Sequence, residues 1–287
     1  MKAFVPSHIT GFFAAKRQED LIKSGSIGCG LCLSLGATTT VQAADETEIL
    51  LNGQASEAPV SRFVVEKMVG MAQSKSESES KSPVRVKTQL DMPLGAGFGA
   101  SGAGALGAAY ALNACLDLGL TANGAAAVAH VAEVSHRTGL GDVIAQNTGG
   151  LVIRLEAGAP GRGVVDRIPV QQLEISYVVR GPISTKEILS DPKAMGEVNR
   201  EGEACLKELL KRPNLKEFMV LSRRFTSRIG LASDWALDAI EAVEAAGGMA
   251  SMIMLGDSVF AIGGDEALKE FGEVGTTYIS QRGANLD

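Results

Sequence analysis

Pro93-Leu94-Gly95-Ala96-Gly97-Phe98-Gly99-Ala100-Ser101-Gly102-Ala103-Gly104 follows an alternating stretch, Val84–Leu90, and runs into the alanine-rich Ser101–Asp117. The pattern predicts a half-buried strand, a glycine loop and a helix. Amides freed of side chains, at the positive end of a helix dipole, form a cradle for an anion, and phosphate is its natural ligand. Gly97, Gly99 and Gly102 satisfy the dinucleotide spacing G-x-G-x-x-G, but the context differs. A second helical pattern, Thr121–Ser135, stands where a strand carrying a ribose-binding acid should begin. No Gly-Lys-Ser/Thr follows, which excludes the common ATPase loop. Glycines that serve only close helix packing remain the alternative.

Outward from the loop, the composition is that of a folded chain. With 287 residues, one large or two medium domains are expected, and 45% hydrophobic with 21% charged residues excludes a disordered or fibrous protein. Lys and Arg number 27 against 33 Asp and Glu, a net charge of −6, which argues against a general nucleic-acid binder and for small-molecule partners. The apolar Cys29–Ala44 imitates a secretion signal, but Glu19 and Asp20 precede it and it starts too far into the chain. No apolar run reaches the roughly 20 residues of a membrane span, so a soluble, cytoplasmic protein is expected. Cys29, Cys32, Cys115 and Cys205 lack the clustering of a zinc site and read as core.

Strands are predicted at Lys2–Val5, Ile27–Leu35, Thr38–Gln42 and Ile49–Leu51, with Asn52-Gly53 as a turn and Val60–Met71 as a helix. The low-complexity Gln73–Ser82 reads as a solvated loop, Thr121 as an N-cap, and Leu151–Leu155 as a strand before a Gly158–Gly163 loop. Beyond residue 165 the pattern gives a strand at Leu173–Val179 and helices at Thr185–Leu189, Met195–Lys211, Leu215–Arg223 and Asp234–Ala246. A hairpin at Ile253–Gly263 and a last helix and strand complete it. Strands and helices mix without regular alternation, so the expected class is α+β in two lobes, residues 1–165 and 166–287.

Three motifs in order carry a family resemblance. Pro93-x-x-x-Gly97-Phe98-Gly99-Ala100-Ser101 resembles the second motif, Pro-x-x-x-Gly-Leu-Gly-Ser-Ser-Ala-Ala, of the galactokinase, homoserine kinase, mevalonate kinase and phosphomevalonate kinase (GHMP) superfamily. Ala100 and Gly102 depart from that pattern, whereas Ser101 falls on its second serine. Pro6-Ser7-His8-Ile9-Thr10-Gly11-Phe12-Phe13 resembles the first motif, and Ala246-Gly247-Gly248-Met249-Ala250-Ser251-Met252 a degenerate third. Within the superfamily, Ser7–Phe13, Ser24-Gly25-Ser26 and His136-Arg137-Thr138-Gly139-Leu140-Gly141-Asp142-Val143 are most similar to the archaeal pantoate kinase family, which acts on the way to coenzyme A. The resemblance spans the chain. It implies a ribosomal S5 domain 2-like amino-terminal lobe, a ferredoxin-like carboxy-terminal lobe, ATP and Mg²⁺ as cofactors, pantoate as small-molecule substrate, and a homodimer by analogy.

It also implies roles for particular residues. The amides of Gly95, Gly97, Gly99, Ser101 and Gly102 would hold the ATP phosphates, with the Ser101 hydroxyl facing Mg²⁺ and Glu133 as its carboxylate ligand. Glu133 is equally placed for an i,i+4 pair with Arg137. Asp142 matches the catalytic acid of mevalonate kinase and galactokinase, to orient the reacting hydroxyl or take its proton; by position it also suits an N-cap. Homoserine kinases lack this acid. His130, on one helical face with Glu133, is a core residue or lies beside the substrate. Arg154, a cation in an apolar run, either grips the substrate carboxylate or points to solvent from a strand edge. His8 and Ser26 are further substrate-pocket candidates, the adenine pocket falls within Val60–Ser82, and Gly247-Gly248 and the following turn close over the nucleotide-side loop or buttress the site. The same chemistry on shikimate or homoserine, and a non-catalytic regulatory protein on this fold, are the competing readings. An NAD-dependent oxidoreductase does not fit the pattern.

Overall fold

β-branched and small apolar residues let two long strands, β1 (Lys2–Lys16) and β2 (Gly25–Ala43), pair antiparallel from Lys2↔Thr40 to Lys16↔Gly25. The computed structural model describes residues 1–75, 83–182 and 192–287. The sequence reading split β2 at Gly36, but the strand runs on. The break is a bulge, where Pro6 pairs with Gly36 and the next residue, Ser7, pairs with Leu33. A second irregularity falls between Thr10 and Phe12.

The length of β2 forks the sheet. Its carboxy-terminal half pairs with β5 (Val84–Leu90), and its amino-terminal half with β6 (Leu151–Glu156), which carries β7 (Val164–Ile168). β3 (Glu48–Leu51) lies parallel to β5, and β4 (Gln54–Ala55) completes that edge. Helix α2 (Ala100–Cys115) packs on this sheet, α1 (Pro59–Lys75) and α3 (Ala122–His136) pack on α2 and on each other, and the short α4 (Asp142–Thr148) lies against β1. Thr121 caps α3 as expected, its hydroxyl accepting from the Gly124 amide. α1 continues through Lys75, so Gln73, Ser74 and Lys75 are helical rather than loop; residues 76–82 lie outside the described ones.

A second sheet has the order β11-β8-β10-β9, built from β8 (Glu174–Pro182), β9 (Met249–Met252), β10 (Gly256–Ile262) and β11 (Gly275–Tyr278). The hairpin therefore starts four residues before Ile253, and Ile253-Met254-Leu255 form its turn. Helices α5 (Pro192–Leu209), α6 (Leu215–Ile229), α7 (Asp234–Ala245) and α8 (Asp265–Leu268) accompany it. The expected helix at Thr185–Leu189 falls outside the described residues. β12 (Asn285–Leu286) returns to pair with β1. The class is α+β, and one core joins the two sheets through Phe12, Phe13, Phe218, Phe225 and Phe260, with ring centroids 6.1–6.4 Å apart. Among the described residues no helix is long and apolar enough to cross a membrane. All four cysteines are unpaired, and Cys29, Cys32 and Cys205 are buried.

Helix α5 sits against β1 at a glycine: a Cβ on Gly202 would lie 1.9 Å from the Phe13 carbonyl oxygen. Gly202→Ala therefore pushes the helix off the strand. The expected loss is about 1–3 kcal/mol, read as a lower urea midpoint with an unchanged slope.

Candidate active site

The loop between β5 and α2 turns through left-handed glycines, with φ of +85° at Gly97 and +65° at Gly99. Both are also crowded. A Cβ on Gly97 would lie 2.8 Å from the Met254 carbonyl oxygen, and one on Gly99 would lie 3.2 Å from Cγ of Asp142. Gly99 is the N-cap of α2 and no side chain caps that helix, so its first amides are not taken up by one. This helix end, with Ser101, opens onto a cavity of about 370 Å³. The other walls are Thr10 and Phe13 of β1, Ser26 of β2, Arg154 of β6, the His136–Asp142 turn between α3 and α4, and Met254-Leu255 from the second sheet.

Glu133 reaches the cavity wall from α3. It is buried, and its Oε1 accepts from the hydroxyls of Ser101 and Thr138, each at 2.7 Å. Its Oε2 is buried without a hydrogen-bond partner. The i,i+4 pair with Arg137 does not form: α3 ends there, with Arg137 left-handed at φ +59° and its amide closing the helix, while Glu133 faces α2. Burial raises the Glu133 carboxyl to about 7; the two hydroxyl donors oppose the shift and nearby Asp142 adds to it. Among the described residues no three or more His, Cys, Asp or Glu side chains cluster as a self-contained metal centre. Glu133 and Ser101 nonetheless fit Mg²⁺, which needs hard oxygen donors and draws others from water and phosphate. The unpaired Oε2 is the observation that supports this fit.

Asp142 is the first residue of α4 rather than its cap; the N-cap is Gly141, without a side-chain bond. Its carboxylate, 23% exposed, instead meets Nδ1 of buried His8 at 2.7 Å. Arg154 does not point to solvent. β6 lies between β2 and β7, so the side chain is inside, 1% exposed. Its Nη1 lies 3.3 Å from Nε2 of His8 and its Nε has no partner. Burial holds the guanidinium below its ordinary value, against the pull of Asp142. Among the described residues Arg154 has no ion-pair partner within hydrogen-bonding contact, and it lines the cavity.

The structure thus brings Gly95, Gly97, Gly99, Ser101, Asp142, Arg154 and Ser26 to one cavity, with Glu133 and His8 directly behind its wall. His130 is not in the lining. Its Nε2 lies 2.8 Å from the Ser24 carbonyl oxygen, so it holds the chain two residues before Ser26. Gly102 lies inside α2, where a Cβ would be 3.0 Å from Gln146 Oε1. Gly247-Gly248 joins α7 to β9 away from the cavity, because Gly248 packs on the Gly263 carbonyl. Its place in the wall is taken by Met254-Leu255. The sequence reading assigned no role to Thr138 or Gln146. Gln146 lies one turn after Asp142 on α4 and donates to the Gly99 carbonyl at 2.9 Å; the i,i+4 spacing signals only that it shares a helical face with Asp142. A second, apolar cavity of about 130 Å³ adjoins at Leu94, Ala100 and Ser101, between β3, the start of α1 and β5.

Residues 63–150 match the family model of the GHMP kinases N terminal domain. The chain is 38% identical over 277 residues to the pantoate kinase of Thermococcus kodakarensis, covering 93% of this chain and 88% of that protein. It is 35% identical over 268 residues to the pantoate kinase of Methanocaldococcus jannaschii, covering 93% and 94%. Among solved structures, a phosphotransferase related to the CoA biosynthesis pathway superposes with a TM-score of 0.86 at 32% identity, covering 100% of this chain and 98% of that one. A structure described as a putative homoserine kinase from Listeria monocytogenes has a TM-score of 0.65 at 17% identity, with 100% and 98% covered, and shares the fold.

The Glu133 shift has a stability consequence. Its ordinary value is 4.5 and its folded value about 7, so above 4.5 the unfolded chain loses the proton while the folded one keeps it. Stability falls as pH rises through that window, by roughly 3 kcal/mol for a fully buried group. In divalent-free buffer, thermal melts across the window should show wild type losing ground to Glu133→Gln, and Mg²⁺ with nucleotide should close the gap.

Proposed function

The chain belongs to the pantoate kinases of the GHMP kinase family, and on that premise we propose that it transfers the terminal phosphoryl group of ATP to the primary hydroxyl of pantoate, yielding 4-phosphopantoate for coenzyme A synthesis. The observation that carries the substrate assignment is Arg154: a buried guanidinium without a carboxylate partner among the described residues, in the same cavity as the glycine loop and Asp142. A buried cation needs an anion, and a planar fork is matched by a carboxylate. Pantoate has a carboxylate at one end and the reacting hydroxyl at the other.

The amides of the Gly95–Ser101 turn and the start of α2 hold the phosphates. Ser101 and Glu133 hold Mg²⁺, which when bound neutralises charge on the phosphate oxygens. Asp142, at the cavity wall, orients the hydroxyl and accepts its proton at a carboxylate oxygen as transfer proceeds. Gln146 holds the Gly99 carbonyl and so keeps the loop in register with Asp142. The apolar cavity between Ile49, Leu51, Val60 and Leu90 takes the adenine, since it meets the glycine loop at Leu94 and Ala100. Among the described residues it overlaps the expected Val60–Ser82 segment at Val60 and Ser61. Four unpaired thiols support a reducing, cytoplasmic setting. A homodimer is proposed by analogy with the family.

Release of ADP over a panel of pantoate, pantothenate, shikimate, homoserine and mevalonate tests the reading. Pantoate should turn over selectively. Asp142→Asn should lower kcat by about 100-fold or more, and Arg154→Lys should raise KM for pantoate by about 10–100-fold with KM for ATP nearly unchanged. Turnover of another acid keeps the kinase and discards the pathway. ATP binding without turnover of any acid favours a regulatory protein.

A further inference from the structure

His8 is a buried imidazole held from both sides by groups of opposite character. Nδ1 lies 2.7 Å from a carboxylate oxygen of Asp142, and Nε2 lies 3.3 Å from Nη1 of Arg154. A carboxylate accepts hydrogen bonds, and a guanidinium only donates them. One arrangement satisfies both: Nδ1 carries the hydrogen and gives it to Asp142, while the bare Nε2 accepts from Arg154. An imidazolium would aim a second N–H at a group that cannot accept it.

The backbone makes room for this bridge. His8 sits on β1 and Arg154 on β6, with β2 between them, and β2 has glycine where the two side chains meet above it. A Cβ on Gly30 would lie 2.3 Å from Nε2 of His8. A Cβ on Gly141 would lie 2.7 Å from Nε of Arg154. Neither contact tolerates a side chain, so both glycines are spaces that the bridge occupies.

We propose that His8 is a positioning residue, locked as the neutral Nδ1–H tautomer, that couples Asp142 to Arg154 and thereby fixes the spacing between the group facing the substrate hydroxyl and the group facing its carboxylate. This rests on the roles given to Asp142 and Arg154 under the proposed function. His8 is absent from the cavity lining, so it acts through its two partners and not on the substrate. Burial also holds its ring below the ordinary histidine value, with Arg154 acting in the same direction and Asp142 opposing, in keeping with a neutral ring. The rigid imidazole acts as a spacer: the nitrogens are at a fixed separation, so the carboxylate and the guanidinium move together or not at all.

Two variants separate the two halves of the bridge. Asn places an amide N–H where Nδ1 stands and loses the acceptor, so His8→Asn should raise KM for pantoate about tenfold with kcat nearly kept. Gln places a carbonyl oxygen near Nε2 and loses the donor, so His8→Gln should lower kcat about tenfold with KM nearly kept. Nitrogen NMR of labelled wild-type protein reads the tautomer without turnover. The chain has three histidines, and His8→Asn identifies the His8 signals by their loss. The expected spectrum has a protonated Nδ1 and a bare Nε2; a proton on Nε2 overturns the proposal. So do wild-type kinetics in both variants, or an equal fall in kcat and rise in KM in both accompanied by a lower melting temperature, which would make His8 merely structural. If wild-type protein turns over no acid on the panel, the kinase reading falls separately, and the nitrogen spectrum still decides the tautomer.

Discussion

The antiparallel ladder between β1 and β2 joins residues from Lys2 to Lys16 with residues from Thr40 back to Gly25, and the charged part of the site hangs from its register. β1 presents His8, Thr10 and Phe13; β2 presents Ser26 and the small Gly28 and Gly30. The far edge of β2 then pairs Gly28 with Arg154. Slipping such a ladder by one residue would turn every side chain to the other face, removing His8 from Asp142 and Arg154 together. The same strand receives α5 at Gly202 and β12 at its start, so both ends of the chain and both sheets are fastened to it.

What the ladder holds in place is electrostatically expensive. Glu133, His8 and Arg154 are all buried, and among the described residues Glu133 Oε2 and Arg154 Nε find no hydrogen-bond partner. Such groups are stable only where something else compensates, or where a ligand later supplies the missing charge. The two unpaired atoms are of opposite kind, one on a carboxylate and one on a guanidinium. A cation would compensate the first and an anion the second. The proposed function uses that polarity, with metal and phosphates at one end and a substrate carboxylate at the other.

Much of this was legible along the chain. The strand, glycine loop and helix around Gly97–Ser101 follow from alternation, missing side chains and an alanine-rich run, each a local effect, and Thr121 shows its capping role by position alone. The three motifs in order pointed to the family. The reading misplaced a break, or left an alternative open, where a residue's neighbours in space overrule its neighbours in sequence. Gly36 reads as a strand break, yet the partner strand absorbs it as a bulge. Arg154 allows a solvent-facing reading until β7 covers its edge, and Asp142 reads as a cap until His8 arrives from 134 residues away.

The sequence by itself determined the chemical inventory, the glycine turn ahead of a helix and the α+β class, because periodicity, capping and glycine content act within a few residues, while its three motifs in order carried the resemblance to the family. Tertiary structure alone decided which groups are left without partners and which are joined: Glu133 to Ser101 and Thr138, His8 between Asp142 and Arg154, and the Met254-Leu255 turn in the cavity wall. Those contacts depend on strand register and on the burial of side chains far apart in the chain, and burial, unlike spacing, has no local signature.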